Sequence, residues 1–273
     1  MNIYSCVDVL NIEKIFVLYY SIYKNTKNYD KLRFYIITDE KPKSKIPEFL
    51  RGKLKLGIIK YDNYWNNIID NFNDNFYKRA SWCKSNLNFA RFFIFYLFPE
   101  VERFIYLDWD MIVQDDIFNL YEYYLKSSLV VANLKNKENI KSNIINEIII
   151  HNNRISYIVQ KQFKVNLLDK SFNSGFYIVG KKHFSLKKLN MLINQLINFQ
   201  SKHGIFKFGT QVIMNLLTND LEFIDYKWNT NEILENSKII HWCGKNKPWD
   251  SQDEIWLKYY KSLALEQTKV YLK

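Results

Sequence analysis

Two periods of hydrophobicity alternate along this chain. Short runs of β-branched, aromatic and aliphatic residues stand at Ile3–Val7, Leu32–Thr38, Leu54–Lys60, Phe104–Leu107, Ser128–Ala132 and Phe172–Val179, and each reads as a strand. Between several of them apolar residues recur at steps of three and four. Leu87, Ala90, Ile94, Leu97 and Phe98 mark a helix within Cys83–Phe98 that Pro99 closes, and Leu189, Leu192, Ile193 and Leu196 mark another over Leu186–Phe199. Thr210–Leu217 repeats the pattern more briefly, with Thr210 placed to cap its start. The Asn- and Ile-rich stretch Asn136–Asn166 also reads as helical. Residues 252–263, with Trp256, Tyr259, Tyr260 and Leu263, predict a terminal amphipathic helix that packs on the domain. Strands interleaved with helices predict an α/β fold built on a mostly parallel, helix-covered sheet.

At 273 residues, 48% of them hydrophobic and 17% aromatic, the chain is long enough for one large α/β domain. Seven Gly and four Pro, nowhere clustered, leave little material for a linker, so a single domain over 1–273 is expected. Lys and Arg exceed Asp and Glu by 39 − 28 = 11, which favours anionic partners. The basic residues are dispersed, and no zinc-finger spacing or aromatic RNA-binding signature occurs, so no specific nucleic-acid partner is expected. Cys6, Cys83 and Cys243 are odd in number and far apart, which argues against a disulfide framework or a structural zinc site and for a reducing compartment. With no uncharged apolar run of spanning length, a cytoplasmic protein without a transmembrane segment is expected. The enrichment in Asn, Ile, Lys, Tyr and Phe matches the codon bias of an AT-rich genome, as in some bacteria and large DNA viruses.

Chemistry enters where the apolar pattern is broken. Asp108 and Asp110 follow Phe104-Ile105-Tyr106-Leu107, and Met111-Ile112-Val113 resume the apolar run. Two adjacent carboxylates repel unless a cation joins them, and a hard divalent ion is the usual partner at the carboxyl end of a strand. The same pair also suits an ordinary strand-end turn with two solvated Asp residues. Neither Gly-x-Gly-x-x-Gly nor Gly-x-x-x-x-Gly-Lys-Ser/Thr is present, so a bound nucleotide would rely on metal and side-chain cations. Three further segments have the look of functional loops. Asn173 and Gly175 precede an apolar strand in Phe172-Asn173-Ser174-Gly175; Gln211 stands in the first turn of the helix begun near Thr210; and Lys238-Ile239-Ile240 delivers His241 ahead of Gly244 and Lys247. Taken alone, each also reads as a turn, a helix start or a solvated loop.

Together and in this order the segments resemble glycosyltransferase family 8, the retaining, nucleotide-sugar-dependent enzymes that include lipopolysaccharide glucosyl- and galactosyltransferases and glycogenin. Tyr106-Leu107-Asp108-Trp109-Asp110 with Ile117-Phe118 and Leu120 carries the likeness, as do Phe172-Asn173-Ser174-Gly175 and His241-x-x-Gly244-x-x-Lys247-Pro248-Trp249. It spans roughly residues 2–249. The resemblance implies a GT-A type, Rossmann-like α/β fold with a mixed, mostly parallel central sheet. Residues 1–125 would form the nucleotide-binding half, and residues 126–273 the half that meets donor sugar and acceptor. It also implies Mn²⁺, with Mg²⁺ as the substitute, held by Asp108, Asp110 and His241 and bridging the diphosphate of a UDP-sugar. Gly244 and Lys247 would contact that diphosphate, Asp8 the uracil, and Arg91 the region between nucleotide and sugar, with Trp109 in the same site. Asn173 and Gln211 would face the transferred sugar and act in catalysis.

Three positions depart from the family. Thr210 stands where an Asp usually precedes the Gln, which leaves the sugar open between glucose, galactose and others. Val9-Leu10-Asn11 replaces the usual Asn-Tyr after the first Asp. Trp109 is bulkier than the usual middle residue of its motif. The activity implied is transfer of a hexose from a UDP-sugar to a hydroxyl of a carbohydrate, a lipid-linked glycan or a protein. A sugar-nucleotide pyrophosphorylase and a catalytically weak UDP-sugar-binding protein on the same fold are the alternatives. A peripheral membrane contact and a homodimer are also compatible with the sequence.

Overall fold

A computed structural model describes residues 1–76, 85–126, 128–132, 153–206, 209–217 and 220–271. The strands are β1 (Asn2–Cys6), β2 (Arg33–Thr38), β3 (Leu54–Ile58), β4 (Arg103–Leu107), β5 (Met111–Val113), β6 (Leu129–Ala132), β7 (Phe176–Gly180), β8 (Leu221–Ile224) and β9 (Ile239–His241). Seven of them form one sheet in the order β3-β2-β1-β4-β7-β6-β8, and β5 and β9 form a separate pair. β1 to β4 run parallel, β7 runs antiparallel to both β4 and β6, and β8 returns parallel to β6. The result is a mixed, mostly parallel α/β sheet. Its central strands are buried on both faces, which is why they read as continuous apolar runs and not as alternating ones.

Helices α1 (Ile12–Asn25), α2 (Asn63–Phe76), α3 (Ile94–Leu97), α4 (Tyr121–Leu125), α5 (Asn153–Phe163), α6 (Leu186–His203), α7 (Gly209–Leu217) and α8 (Glu254–Tyr271) are described. α1 and α8 cover one face, over a core that includes Ile15, Leu18, Phe34, Ile105, Met111 and Trp256. α2, α6 and α7 cover the other, over Phe72, Phe89, Tyr106, Leu196 and Ile213. Each such aliphatic or aromatic side chain stabilises the fold by about 1.5–3 kcal/mol through burial. Among the described residues no helix is long and apolar enough to cross a membrane.

Several boundaries differ from the sequence reading, for local reasons. The helix expected over Cys83–Phe98 is a 3₁₀ segment over Asn86–Phe92 followed by the single turn α3, with residues 83 and 84 outside the described part. Leu87 and the unbroken run Phe89 to Phe92 are buried, so no amphipathic stripe exists, and Ala90 O accepts both Phe93 N at 3.0 Å and Tyr4 Oη at 2.7 Å. The strand expected from Phe172 begins only at Phe176. The backbone N and O of Phe172 are taken by the Asn215 side chain and Gly175 N donates to Asn173 Oδ1, so only Gly175 O, which accepts Asp108 N at 2.9 Å, continues the ladder before Phe176. The helix expected over Asn136–Asn166 is described only as α5, because residues 133–152 lie outside the described part, as does Cys83. The terminal helix begins at Glu254, where Asp253 Oδ1 caps Ile255 N and Trp256 N, and runs on to Tyr271.

This topology positions the site. Parallel β1 and β4 point their carboxyl ends to the same edge, where Asp8 and Asp108 emerge. β7 is antiparallel, so its beginning reaches that edge as well, with Phe176 opposite Leu107. Ligands of open α/β sheets gather at such an edge.

Candidate active site

Asp108, Asp110 and His241 converge at this edge. Their ligand atoms lie within 4.8 Å of one another. β4 delivers Asp108, and the chain then turns into β5. There Met111 pairs with His241 of β9, and Trp242 N donates to Asp110 O at 3.0 Å. The small β5–β9 sheet therefore zips the two carboxylates to a histidine more than a hundred residues away. Asp110 and His241 are buried, and Asp108 is half-buried.

The imidazole is held in one orientation. Its Nδ1 lies 2.9 Å from Oδ1 of Asn229, which is itself buried and donates from Nδ2 to Ala132 O at 3.3 Å. An amide oxygen only accepts, so Nδ1 carries a proton and Nε2 is the nitrogen turned towards the carboxylates. Nε2 lies 3.4 Å from Asp110 Oδ1 and 3.9 Å from Asp108 Oδ2. Both distances are longer than the usual 2.7–3.2 Å of an N–H···O bond. They match the roughly 3–4 Å between ligand atoms that share one ion about 2.1 Å from each. Two carboxylates and an imidazole nitrogen form a donor set suited to Mn²⁺ or Mg²⁺, and repel one another without a cation.

The surroundings keep Asp110 ionised. Burial alone would raise the Asp110 pKa, but the neighbouring His241 and Lys247 outweigh it and bring the group down to about 2. Lys247 Nζ pairs with Asp110 Oδ2 and donates to Trp242 O at 3.1 Å. Tyr106 Oη donates to Asp108 Oδ1 at 2.7 Å, and burial holds its phenol far above the usual range, so it stays a donor. Arg91 lies buried beneath. Its Nε donates to Asn88 O at 2.9 Å, Nη1 to Ser174 O at 2.9 Å, and Nη2 reaches Asp108 Oδ1 at 3.4 Å. The structure thus places Arg91 as a brace joining Asp108 to the 172–175 turn.

Gly175 makes that turn possible. A Cβ there would overlap His241 Cε1 and stand 2.9 Å from both Asn173 Oδ1 and Asp108 Oδ2. Gly244 has a φ of +92° in the turn between His241 and Lys247, a conformation that L side chains rarely adopt. On the β7 side Asn173 Nδ2 donates to Gln211 Oε1 at 3.3 Å, so the two residues expected to face a sugar do adjoin. Thr210 is buried in the first turn of α7, one residue inside the helix, and so is not its N-cap as expected.

At the far end Asp8 caps a 3₁₀ turn. Its Oδ1 accepts Asn11 N at 3.1 Å, and both oxygens accept Asn11 Nδ2 at 2.8 Å. Asn11 Oδ1 in turn accepts Lys14 Nζ. Trp109 stacks on Trp249, with ring centroids 4.7 Å apart and planes 17° apart, which accounts for its bulk. Cys243 is not a reactive thiol here, because burial pushes it to about 11.

Three asparagines do much of this positioning: Asn11, Asn215 and Asn229. Asn215 bonds Phe172 N and O at 3.0 and 2.9 Å and Gln211 O at 2.9 Å, tying α7 to the turn. Only one cue was available in advance: Asn229 follows Trp228 in an otherwise polar stretch shortly before the β9 run.

Comparisons with known proteins agree with the fold and identify a family. The model of glycosyl transferase family 8 matches residues 2–253. Glycosyltransferase 8 domain-containing protein 1 of Mus musculus is 23% identical over 270 residues, covering 88% of this chain and 71% of that protein. Probable galacturonosyltransferase-like 3 of Arabidopsis thaliana is 25% identical over 199 residues, covering 63% of this chain and 55% of its own length. Among solved structures, the galactosyltransferase LgtC in complex with donor and acceptor sugar analogs superposes with a TM-score of 0.65 at 15% identity, covering 96% of each chain. The glycosyltransferase GlyE of Streptococcus pneumoniae gives 0.57 at 17%, covering 100% of this chain and 64% of that one. At such identities the structural likeness is one of fold.

Proposed function

This chain belongs to glycosyl transferase family 8, a family of glycosyltransferases, and from that membership we propose that it moves a hexose from a UDP-sugar to an acceptor hydroxyl with retention at the anomeric carbon. The observation that carries the reading is the convergence of Asp108, Asp110 and His241 beside Lys247 at the carboxyl edge of β4. Asp108, Asp110 and His241 would hold a divalent cation, Mn²⁺ by the mixed oxygen and nitrogen donor set, which would neutralise the donor's diphosphate as it leaves.

The chain's own residues divide the remaining work. Lys247 would shift from Asp110 to the diphosphate, adding a point charge where negative charge develops, and the turn at Gly244 lets its loop approach. Tyr106 and Arg91 hold Asp108 fixed, so that it need not reorganise during reaction. Asn173 and Gln211, in contact with each other, would orient the sugar, and the Gln211 amide oxygen would face positive charge at the anomeric centre. Asp8 would meet the uracil at the far end. Apart from Asp8 at the uracil end, no carboxylate gathered here is free of metal-ligand duty. That suits a mechanism in which the leaving diphosphate takes the acceptor's proton on the same face of the sugar.

A hydrolysis panel of UDP-sugars with Mn²⁺ tests this. UDP release from UDP-glucose or UDP-galactose, lost on chelation, is the expected result. Pyrophosphate-dependent formation of UTP instead would make the chain a pyrophosphorylase, and tight UDP binding without turnover on any donor would make it a binding protein.

A further inference from the structure

Lys14 is used by none of the roles above, yet it stands in the middle of them. It leaves the first turn of α1, and its Nζ lies 4.2 Å from the ring centroid of Trp249 and 5.3 Å from that of Trp109. Trp109 is the residue between the two metal-ligating carboxylates. Trp249 ends the segment that carries His241 and Lys247. On its other side Nζ donates to Asn11 Oδ1, and Asn11 Nδ2 donates to both oxygens of Asp8. Bonds and ring contacts therefore run unbroken from Asp8 to Trp109, with the ammonium midway.

We propose that Lys14 is a donor-binding residue that contacts the phosphate next to the ribose of a nucleoside diphosphate. This rests on the reading of Asp8 as the base end and of Asp108 and Asp110 as the diphosphate end. A ligand spanning those two points must cross the ground between them, which Lys14 occupies. The ammonium is half-buried on indole faces, where cation–π attraction holds it and water screens it less than at an open surface. Among the described residues Asn11 Oδ1 is its one hydrogen-bond acceptor, so two of its three N–H donors remain for phosphate oxygens. The carboxylates that face it are Asp8 and Asp250, and neither makes an ion pair with it. The same arrangement gives Trp109 a purpose, because a small residue between Asp108 and Asp110 could not reach Trp249 to complete the platform.

Calorimetric titration of the wild-type protein, Lys14→Met and Lys14→Gln with UDP and with uridine, all with Mn²⁺, tests the proposal. Gln keeps a donor for Asn11 and removes only the charge, which separates the charge from local folding. Both variants are expected to bind UDP about tenfold more weakly, the loss of one charge-assisted contact, and uridine as the wild type does. Unchanged UDP affinity in Lys14→Gln overturns the assignment. An equal loss for uridine and UDP also overturns it, since Lys14 would then act only by holding Asn11 and Asp8 in place. Failure of the wild type to bind UDP at all would instead overturn the reading of the whole site.

Discussion

At Gly175 a Cβ would meet His241, Asn173 and Asp108 at once, and each of those side chains is held by bonds of its own. Gly175→Ala is therefore expected to weaken Mn²⁺ binding at least about tenfold while costing about 1–3 kcal/mol of stability, as overpacking does. Mn²⁺ titration by electron paramagnetic resonance alongside urea unfolding checks both, and wild-type metal affinity would contradict the tight packing described. Asn229→Leu makes a second test at this scale. It leaves the buried Nδ1–H of His241 without an acceptor and frees the ring to turn, so metal affinity should fall about tenfold, whereas Asn229→Asp keeps an acceptor and should retain most of it. Equal affinity of the Leu variant and the wild type would remove Asn229 from the site. These residues also mark what was legible beforehand. Asp108 and Asp110 announce themselves because charge interrupts an apolar run, and His241 because of its spacing to Gly244 and Lys247. Asn229 carries no such signal, since a buried amide acceptor looks like any other asparagine until the fold brings it to the imidazole.

The elements around the site are held by side chains reaching across backbone gaps. α7 and the turn before β7 are joined through one amide, Asn215, whose oxygen and nitrogen take Phe172 N, Phe172 O and Gln211 O. Asn215→Ala should destabilise the protein by about 2 kcal/mol, because buried backbone groups lose their partners, and should raise the KM for the sugar donor by displacing Gln211 from Asn173. Urea unfolding and steady-state kinetics on the same variant check this. A stability loss with an unchanged KM would mean that α7 does not position the sugar site. Helix and strand periods identified α6, α8 and most of the sheet, where burial is one-sided or complete, but not α1 or α2. They misread 86–92 and 172–175, where tyrosine and asparagine side chains take backbone groups that a regular helix or strand would have used. The short β5 and β8 were also missed, having only three and four residues each.

Across the whole molecule, the alternation of strands and helices foretold the α/β class, but not the insertion of antiparallel β7 between β4 and β6. That insertion brings the Asn173–Gly175 turn to the same edge as Asp8 and Asp108. Residues more than two hundred positions apart thereby come to share one site. The excess of 11 positive charges over the chain favours an anionic donor, while the carboxylates at this edge make binding depend on a cation locally. Both statements meet in one measurement, calorimetric titration of UDP with Mn²⁺ and again with the metal chelated, on the wild type and on Asp110→Asn. The account predicts binding that requires Mn²⁺ and is weakened at least about tenfold by the substitution. UDP affinity that is the same with and without metal, and the same in Asp110→Asn, would contradict it.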